Sequence, residues 1–278
     1  MMITVQDFTG VYAEQPFMQE LRAATETSKD VRWLDCTKIV GTDCYCDDDA
    51  IKEINNLIDN AECDIGNRGK STNVPAMHFF DNGNYHYMSK LWTDRVQEPF
   101  TLIVFDHHPD MQPPRFGGIL SCGGWVKEVL DNNKFIQNAI IIGVKDDLVE
   151  TVREELSQSG EANILEKVTF IKESELSTLS SLICSEFSSI LSSNLYISID
   201  KDALSPSYAA TNWDQGSLTL NALKESITFL AAGHKILGVD ICGERAHDFE
   251  GNEHHTVQEA DVLNNSLNRE LVEFLQKL

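Results

Sequence analysis

Short runs of consecutive apolar, often β-branched residues alternate along this chain with longer stretches that are apolar on one side only. The runs fall at 76–80, 101–106, 139–144, 168–171, 195–200 and 236–241. Their unbroken apolar character predicts strands buried on both faces. Between them the pattern predicts helices over 48–59, 123–130, 146–157, 176–191, 218–231 and 257–278. Asp47-Asp48-Asp49 places acid at the start of the first of these, where the helix dipole favours it. Strand–helix alternation over the whole length predicts a parallel α/β architecture with helices on both faces. No repeat, low-complexity tract or Pro/Gly/Ser linker interrupts it, so residues 1–278 are expected to form a single domain. In such sheets ligands sit outside the carboxyl ends of the strands, which directs attention to the residues that close each run.

The run 101–106 continues into Asp106-His107-His108-Pro109-Asp110. In extended chain, alternate residues share a face, so Asp106, His108 and Asp110 are expected to project together. All three are metal-ligand types. The run 195–200 ends on Asp200-Lys201-Asp202, which puts two carboxylates on one face of another buried strand. Paired carboxylates repel unless a cation lies between them. His86 follows the first predicted strand and is a sixth candidate. A lone Asp at a strand end is usually a turn former. The D-x-H-x-D pattern at a buried strand end has no comparable structural explanation. Oxygen donors with two imidazoles and no required thiol favour Mn²⁺ over a thiolate-type zinc site. Bridging carboxylates suit two ions roughly 3.5–4 Å apart that activate one water.

Charge narrows the partners. Lys and Arg number 22 against 44 Asp and Glu, a formal charge of 22 − 44 = −22. That argues against phosphate-backbone binding and against docking on anionic membranes. No apolar run approaches the ~20 residues of a membrane span. The first residues have neither the basic nor the apolar region of a signal peptide. The seven cysteines, scattered and odd in number, are expected to be thiols, and the expected location is cytoplasmic. Cys44 and Cys46 alone make a weak two-thiol half-site.

At these residues the sequence resembles the arginase/agmatinase/formiminoglutamase (ureohydrolase) family. The family motifs GGDH, DAHxD and S-x-D-x-D-x-x-D-P have counterparts in Gly83-Asn84-Tyr85-His86, Asp106 to Asp110 and Ser198 to Pro206, in the same order. The resemblance covers about residues 76 to 245. It implies a three-layer α/β/α sandwich with a mostly parallel sheet of about eight strands. It also implies two Mn²⁺ per chain, with His86, Asp106, Asp110 and Asp200 or Asp202 on one ion, and His108 with the shared carboxylates on the other. The implied reaction is attack of a metal-bridging hydroxide on a linear amidine or guanidino carbon of a small, cationic substrate. Asp110 would orient that hydroxide. Glu244, in Gly238-Val239-Asp240-Ile241-Cys242-Gly243-Glu244, would hold the guanidinium, although it falls one position after the family's D-x-x-E spacing, where Gly243 stands. Gln112, Ser121 and Asp147 match positions that contact the rest of the substrate. Family relatives are often trimers or hexamers, which leaves a homo-oligomer open.

The family's proton-shuttling His is replaced by Trp125, and no His occurs between His108 and His234. Release of an amine normally needs a general acid. Three alternatives therefore stay open beside the hydrolase. One is a non-catalytic or weakly active arginase-fold protein that binds metal or ligand. Another is a DHH-type phosphoesterase, suggested by Asp106-His107-His108 but lacking an upstream Asp-x-Asp and a basic groove. The last is a deacetylase-like amidohydrolase with one zinc, which needs fewer acids than are present.

Overall fold

The computed structural model describes residues 1–63, 76–114, 117–185, 187 and 190–278. Its strands are β1 (Met2–Asp7), β2 (Val31–Asp35), β3 (Tyr45–Cys46), β4 (Ala76–Phe79), β5 (Phe100–Phe105), β6 (Leu120–Ser121), β7 (Ile136–Val144), β8 (Val168–Lys172), β9 (Asn194–Asp200) and β10 (Lys235–Cys242). Eight of them form one sheet in the order β2-β1-β4-β10-β9-β5-β7-β8, and every neighbouring pair is parallel. The two-residue β3 and β6 pair antiparallel beside it.

The helices are α1 (Pro16–Ala24), α2 (Asp48–Cys63), α3 (Met88–Thr93), α4 (Trp125–Asn132), α5 (Asp146–Gln158), α6 (Leu179–Ser185), α7 (Leu220–Gly233) and α8 (Val257–Leu275). Apolar residues of α1, α6, α7 and α8 join one core, and those of α2, α3, α4 and α5 join the other. Successive β5 residues alternate between the two. Ile103 and Phe105 enter the first, Leu102 and Val104 the second. This is the three-layer sandwich, and it explains why the central strands carry consecutive apolar residues on both faces. Burying each such side chain contributes about 1.5–3 kcal/mol. The strands are thus gripped from both faces, and their carboxyl ends form a rigid platform for polar residues.

All six predicted strands are present, within a residue or three of the expected bounds. The pattern missed β1 and β2. In β1, Thr4 and Gln6 are buried polar residues, and Gln6 Oε1 accepts from Trp92 Nε1 at 2.8 Å. The edge strand β2 carries Arg32 and is only partly covered. The helix expected over 176–191 is shorter. A 3₁₀ turn over Glu173–Thr178 precedes α6, and residues 186, 188 and 189 lie outside those described. Among the described residues, no helix is long and apolar enough to cross a membrane.

Candidate metal centre

The sheet order sets β10 between β4 and β9, and β9 beside β5. Four chain segments therefore deliver polar residues to one point at the carboxyl edge. After β5 the backbone is not extended, as the alternation argument required. Asp110 adopts a left-handed conformation with φ 47°, which Asp tolerates better than most residues. The loop is held by His107 N donating to Asp202 Oδ1 at 3.0 Å, Lys145 N to His107 O at 3.0 Å, and Val126 N to Asp110 O at 3.0 Å. Asp106, His108 and Asp110 still converge, through loop geometry rather than strand pleating. His107 turns away and is buried against Gly143 O.

His86 follows a 3₁₀ turn over Gly83–Tyr85. Gly83 is required by proximity, since a Cβ there would lie 2.6 Å from Trp213 and 3.1 Å from Asp200 Oδ2. His86 Nε2 pairs with Ser198 Oγ at 2.8 Å, which leaves Nδ1 facing Asp110 Oδ2 at 3.0 Å, Asp106 Oδ2 at 3.1 Å and Asp200 Oδ2 at 3.5 Å. Next to it, His108 Nδ1 lies 2.9 Å from Asp202 Oδ2 and 3.5 Å from Asp106 Oδ1. His86 with Asp106 and Asp110, and His108 with Asp106 and Asp202, thus make two ligand clusters that share Asp106.

One imidazole nitrogen carries at most one proton, yet three carboxylates point at His86 Nδ1. Asp106 Oδ2 is buried and has no hydrogen-bond donor. Such an orphaned anionic oxygen is costly unless a cation serves it. None of the described lining residues is Lys or Arg. The donor set therefore fits divalent cations. Burial, with the Asp202 carboxylate beside it, pushes Asp200 up to about 7. For His108, burial acts downward, but Asp106 and Asp202 outweigh it and raise the imidazole.

These residues floor a cleft of about 350 Å³ that contains all six predicted metal ligands. Gln112 and Ser121 line its wall. Asp147 does not. It is exposed on the first turn of α5, which meets the cleft through Leu148, Thr151, Val152 and Glu155. That three-and-four spacing is one helical face, and residue 147 falls outside it. Glu155 is therefore the acid that α5 presents, and its spacing from Leu148 was the available signal. Trp213 and the Cys44–Cys122 pair at the mouth had no local signal.

Glu244 also departs from expectation. It is fully buried behind the cleft, where Lys201 Nζ, Gln15 Nε2, Asn264 Nδ2 and Asn268 Nδ2 all donate to its carboxylate. A carboxylate with four donors has no capacity left for a substrate. Gly243 cannot take over the role, because its φ is 89° and a Cβ would lie 2.3 Å from Asp200 Oδ1. Trp125, in place of the family His, is buried and donates from Nε1 to Asp110 Oδ2 at 2.7 Å.

The carboxylate cluster makes chelation a stability experiment. A carboxyl raised in the fold contributes fully below its unfolded pKa, and that contribution is lost as pH rises through the folded value. With Asp200 near 7, protein stripped of metal should weaken as pH rises from about 4 to about 7. Ions at a thousandfold over Kd add about 4 kcal/mol, on the order of 10 °C in Tm. Scanning calorimetry with excess metal or chelator should show a gap of this size that widens with pH. Equal Tm values throughout would exclude a built cation site.

The arginase family model matches residues 84–257. A curated uncharacterized protein of Thermotoga maritima is 25% identical over 242 residues, covering 87% of this chain and 79% of that one. Among solved structures, the agmatine ureohydrolase of Thermoplasma volcanium superposes with TM-score 0.63 at 14% identity, covering 99% of this chain and 89% of its own. A Trypanosoma cruzi formiminoglutamase variant with Mn²⁺ gives TM-score 0.59 at 11% identity, covering 99% and 92%. Both solved structures share the α/β architecture described above. The chain belongs to the arginase family.

Proposed function

We propose that this protein hydrolyses a linear C–N bond of a small amidine or guanidino compound and uses two Mn²⁺ ions. The observation that supports this reading best is the pair of ligand clusters joined by Asp106. His86, Asp106, Asp110 and Asp200 would hold one ion, and His108, Asp106 and Asp202 the other. When bound, such ions would supply a water of lowered pKa as the nucleophile.

The chain's own residues position and select. Asp110 has Oδ2 fixed by the Trp125 indole and is placed to accept a hydrogen bond from the attacking water. Ser198 Oγ pairs with His86 Nε2 and fixes the orientation of the ring, a role outer groups commonly take around metal-bound imidazoles. The acidic floor, with Glu155 on one wall and Gln112 and Ser121 on another, suits a cationic substrate with a polar tail. Indole N–H does not exchange protons near neutral pH as imidazole does. Protonation of the leaving group therefore falls to Asp110, to His108 or to solvent.

That missing shuttle favours one second reading, a metal- and ligand-binding protein without turnover. The phosphoesterase reading loses ground, since no described Lys or Arg lines the cleft. Manganese-loaded protein should be assayed against arginine, agmatine, guanidino acids and formimino compounds for release of urea, formamide or ammonia. Turnover of one class supports the hydrolase. Saturable ligand binding without product supports the second reading.

A further inference from the structure

The metal reading leaves Cys242 unused. It closes β10, the strand between β4 and β9, and is 1% exposed. Its Sγ donates to Asp200 Oδ2 at 3.2 Å, and this is the carboxylate oxygen that faces His86 Nδ1 at 3.5 Å. The ligand atoms of His86, Asp200 and Cys242 lie within 4.8 Å of one another, and all three residues are buried. His86 also belongs to a second cluster with Asp106 and Asp110, and its Nδ1 lies 3.1 Å from the unpartnered Asp106 Oδ2.

These separations can be compared with coordination geometry. Nitrogen and oxygen ligands bind at about 2.1 Å and thiolate sulfur at about 2.3 Å. At right angles around one ion, N···O pairs then stand roughly 3.0 Å apart and S···O pairs roughly 3.1 Å. The 3.2 Å between Cys242 Sγ and Asp200 Oδ2, and the 3.0 Å and 3.1 Å from His86 Nδ1 to Asp110 and Asp106, fall at these values, while His86 Nδ1 and Asp200 Oδ2 stand 3.5 Å apart. The His108 cluster contains only nitrogen and oxygen donors.

We propose that Cys242 is a sulfur ligand to the ion on the His86 side, so that the centre is asymmetric. A softer ion such as Zn²⁺, Fe²⁺ or Co²⁺ is preferred there, and Mn²⁺ is confined to the His108 side. The proposal rests on the metal-centre reading and revises its expectation of two Mn²⁺. The physical reason is ligand softness. Thiolate favours the later divalent metals, whereas carboxylate and water accept manganese readily. On coordination the ion takes the place of the thiol proton, which leaves to solvent.

Cobalt substitution tests this without recourse to activity. Wild type, Cys242→Ser, Cys242→Ala and a Cys44→Ser/Cys122→Ser double variant would be loaded with Co²⁺, with circular dichroism to verify folding. Metal content and absorption spectra would then be recorded. Wild type and the double variant should show an intense near-ultraviolet sulfur-to-cobalt band. Both Cys242 variants should bind cobalt yet lack the band. In competition with zinc and manganese, wild type should retain zinc at one site, and Cys242→Ser should lower that preference about tenfold. Cobalt bound to wild type without the band, or a band that persists in the Cys242 variants, would overturn the sulfur ligand and leave the metal centre standing. Absence of bound cobalt in wild type would overturn the metal centre itself.

Discussion

Asp106→Asn is expected to reduce bound metal from about two ions per chain to less than one, and to cut turnover on the order of a thousandfold. Asp106 is the residue common to both ligand clusters. Oδ2 faces His86 Nδ1 at 3.1 Å, while Oδ1 lies 3.5 Å from His108 Nδ1 and accepts from His108 N at 2.6 Å. Asparagine keeps the shape but removes the charge, and it puts an N–H₂ group where one of these oxygens stood. A neutral amide cannot bridge two cations, so the loss should reach both ions. The same change has the opposite effect on metal-free protein. Asp106 raises its neighbours Asp200 and Asp202 by like-charge repulsion, so chelated Asp106→Asn should melt above chelated wild type. Metal analysis and calorimetry on both forms check the pair of outcomes. A variant that retains two ions would remove the basis for a shared-carboxylate centre.

Lys201→Met should lower stability by about 3–5 kcal/mol, a fall of roughly 10 °C in Tm. Lys201 sits between the two aspartates of the β9 motif, yet its ammonium points away from them and meets Glu244, with both groups fully buried. Removing the cation leaves an anion in an apolar environment with only the amides of Gln15, Asn264 and Asn268. Those amides come from just before α1 and from α8, so the cluster also ties these helices to the ends of β9 and β10. The double variant Lys201→Met/Glu244→Gln should recover much of the loss, because no charge stays buried. Glu244→Gln alone separates two roles. A substrate contact would raise KM at unchanged Tm, whereas the buried pair predicts a lowered Tm. Denaturation and kinetics on these three proteins decide between them.

The central strands and the ligand types were legible because both are written locally. A strand buried on both faces is apolar over most of its length, and 102–105 of β5, 139–144 of β7 and 195–197 of β9 are unbroken runs without a polar side chain apart from the Tyr196 hydroxyl. A cluster of acids and imidazoles following such a run has few explanations other than a cation. β1 was illegible because it buries two polar residues, Thr4 and Gln6, and the Trp92 indole that meets Gln6 Oε1 lies far along the chain. The convergence of Asp106, His108 and Asp110 was expected for the wrong backbone reason. The left-handed turn at Asp110 is imposed by contacts with Asp202, Lys145 and Val126, which lie far along the chain or on the next helix.

Substrate-side residues show the same division. Asp147 on the first turn of α5 and Glu155 on its third are both acids, and residue type alone does not distinguish them. The packing of Val149, Val152 and Leu156 against the core sets the rotation of the helix and turns Glu155 toward the cleft. Glu244 follows a buried strand as a functional carboxylate would, and only the position of Lys201 shows that it is already neutralised. Local composition and periodicity thus determined the alternating strand–helix architecture, the net acidic charge, and the six metal-ligand-type residues that line the cleft. Tertiary structure alone decided which of them cluster around Asp106, which carboxylates face the cleft, and that the Cys242 thiol lies beside Asp200. Those outcomes depend on distances between atoms far apart in sequence, and such distances are set by strand order and helix rotation rather than by any local pattern.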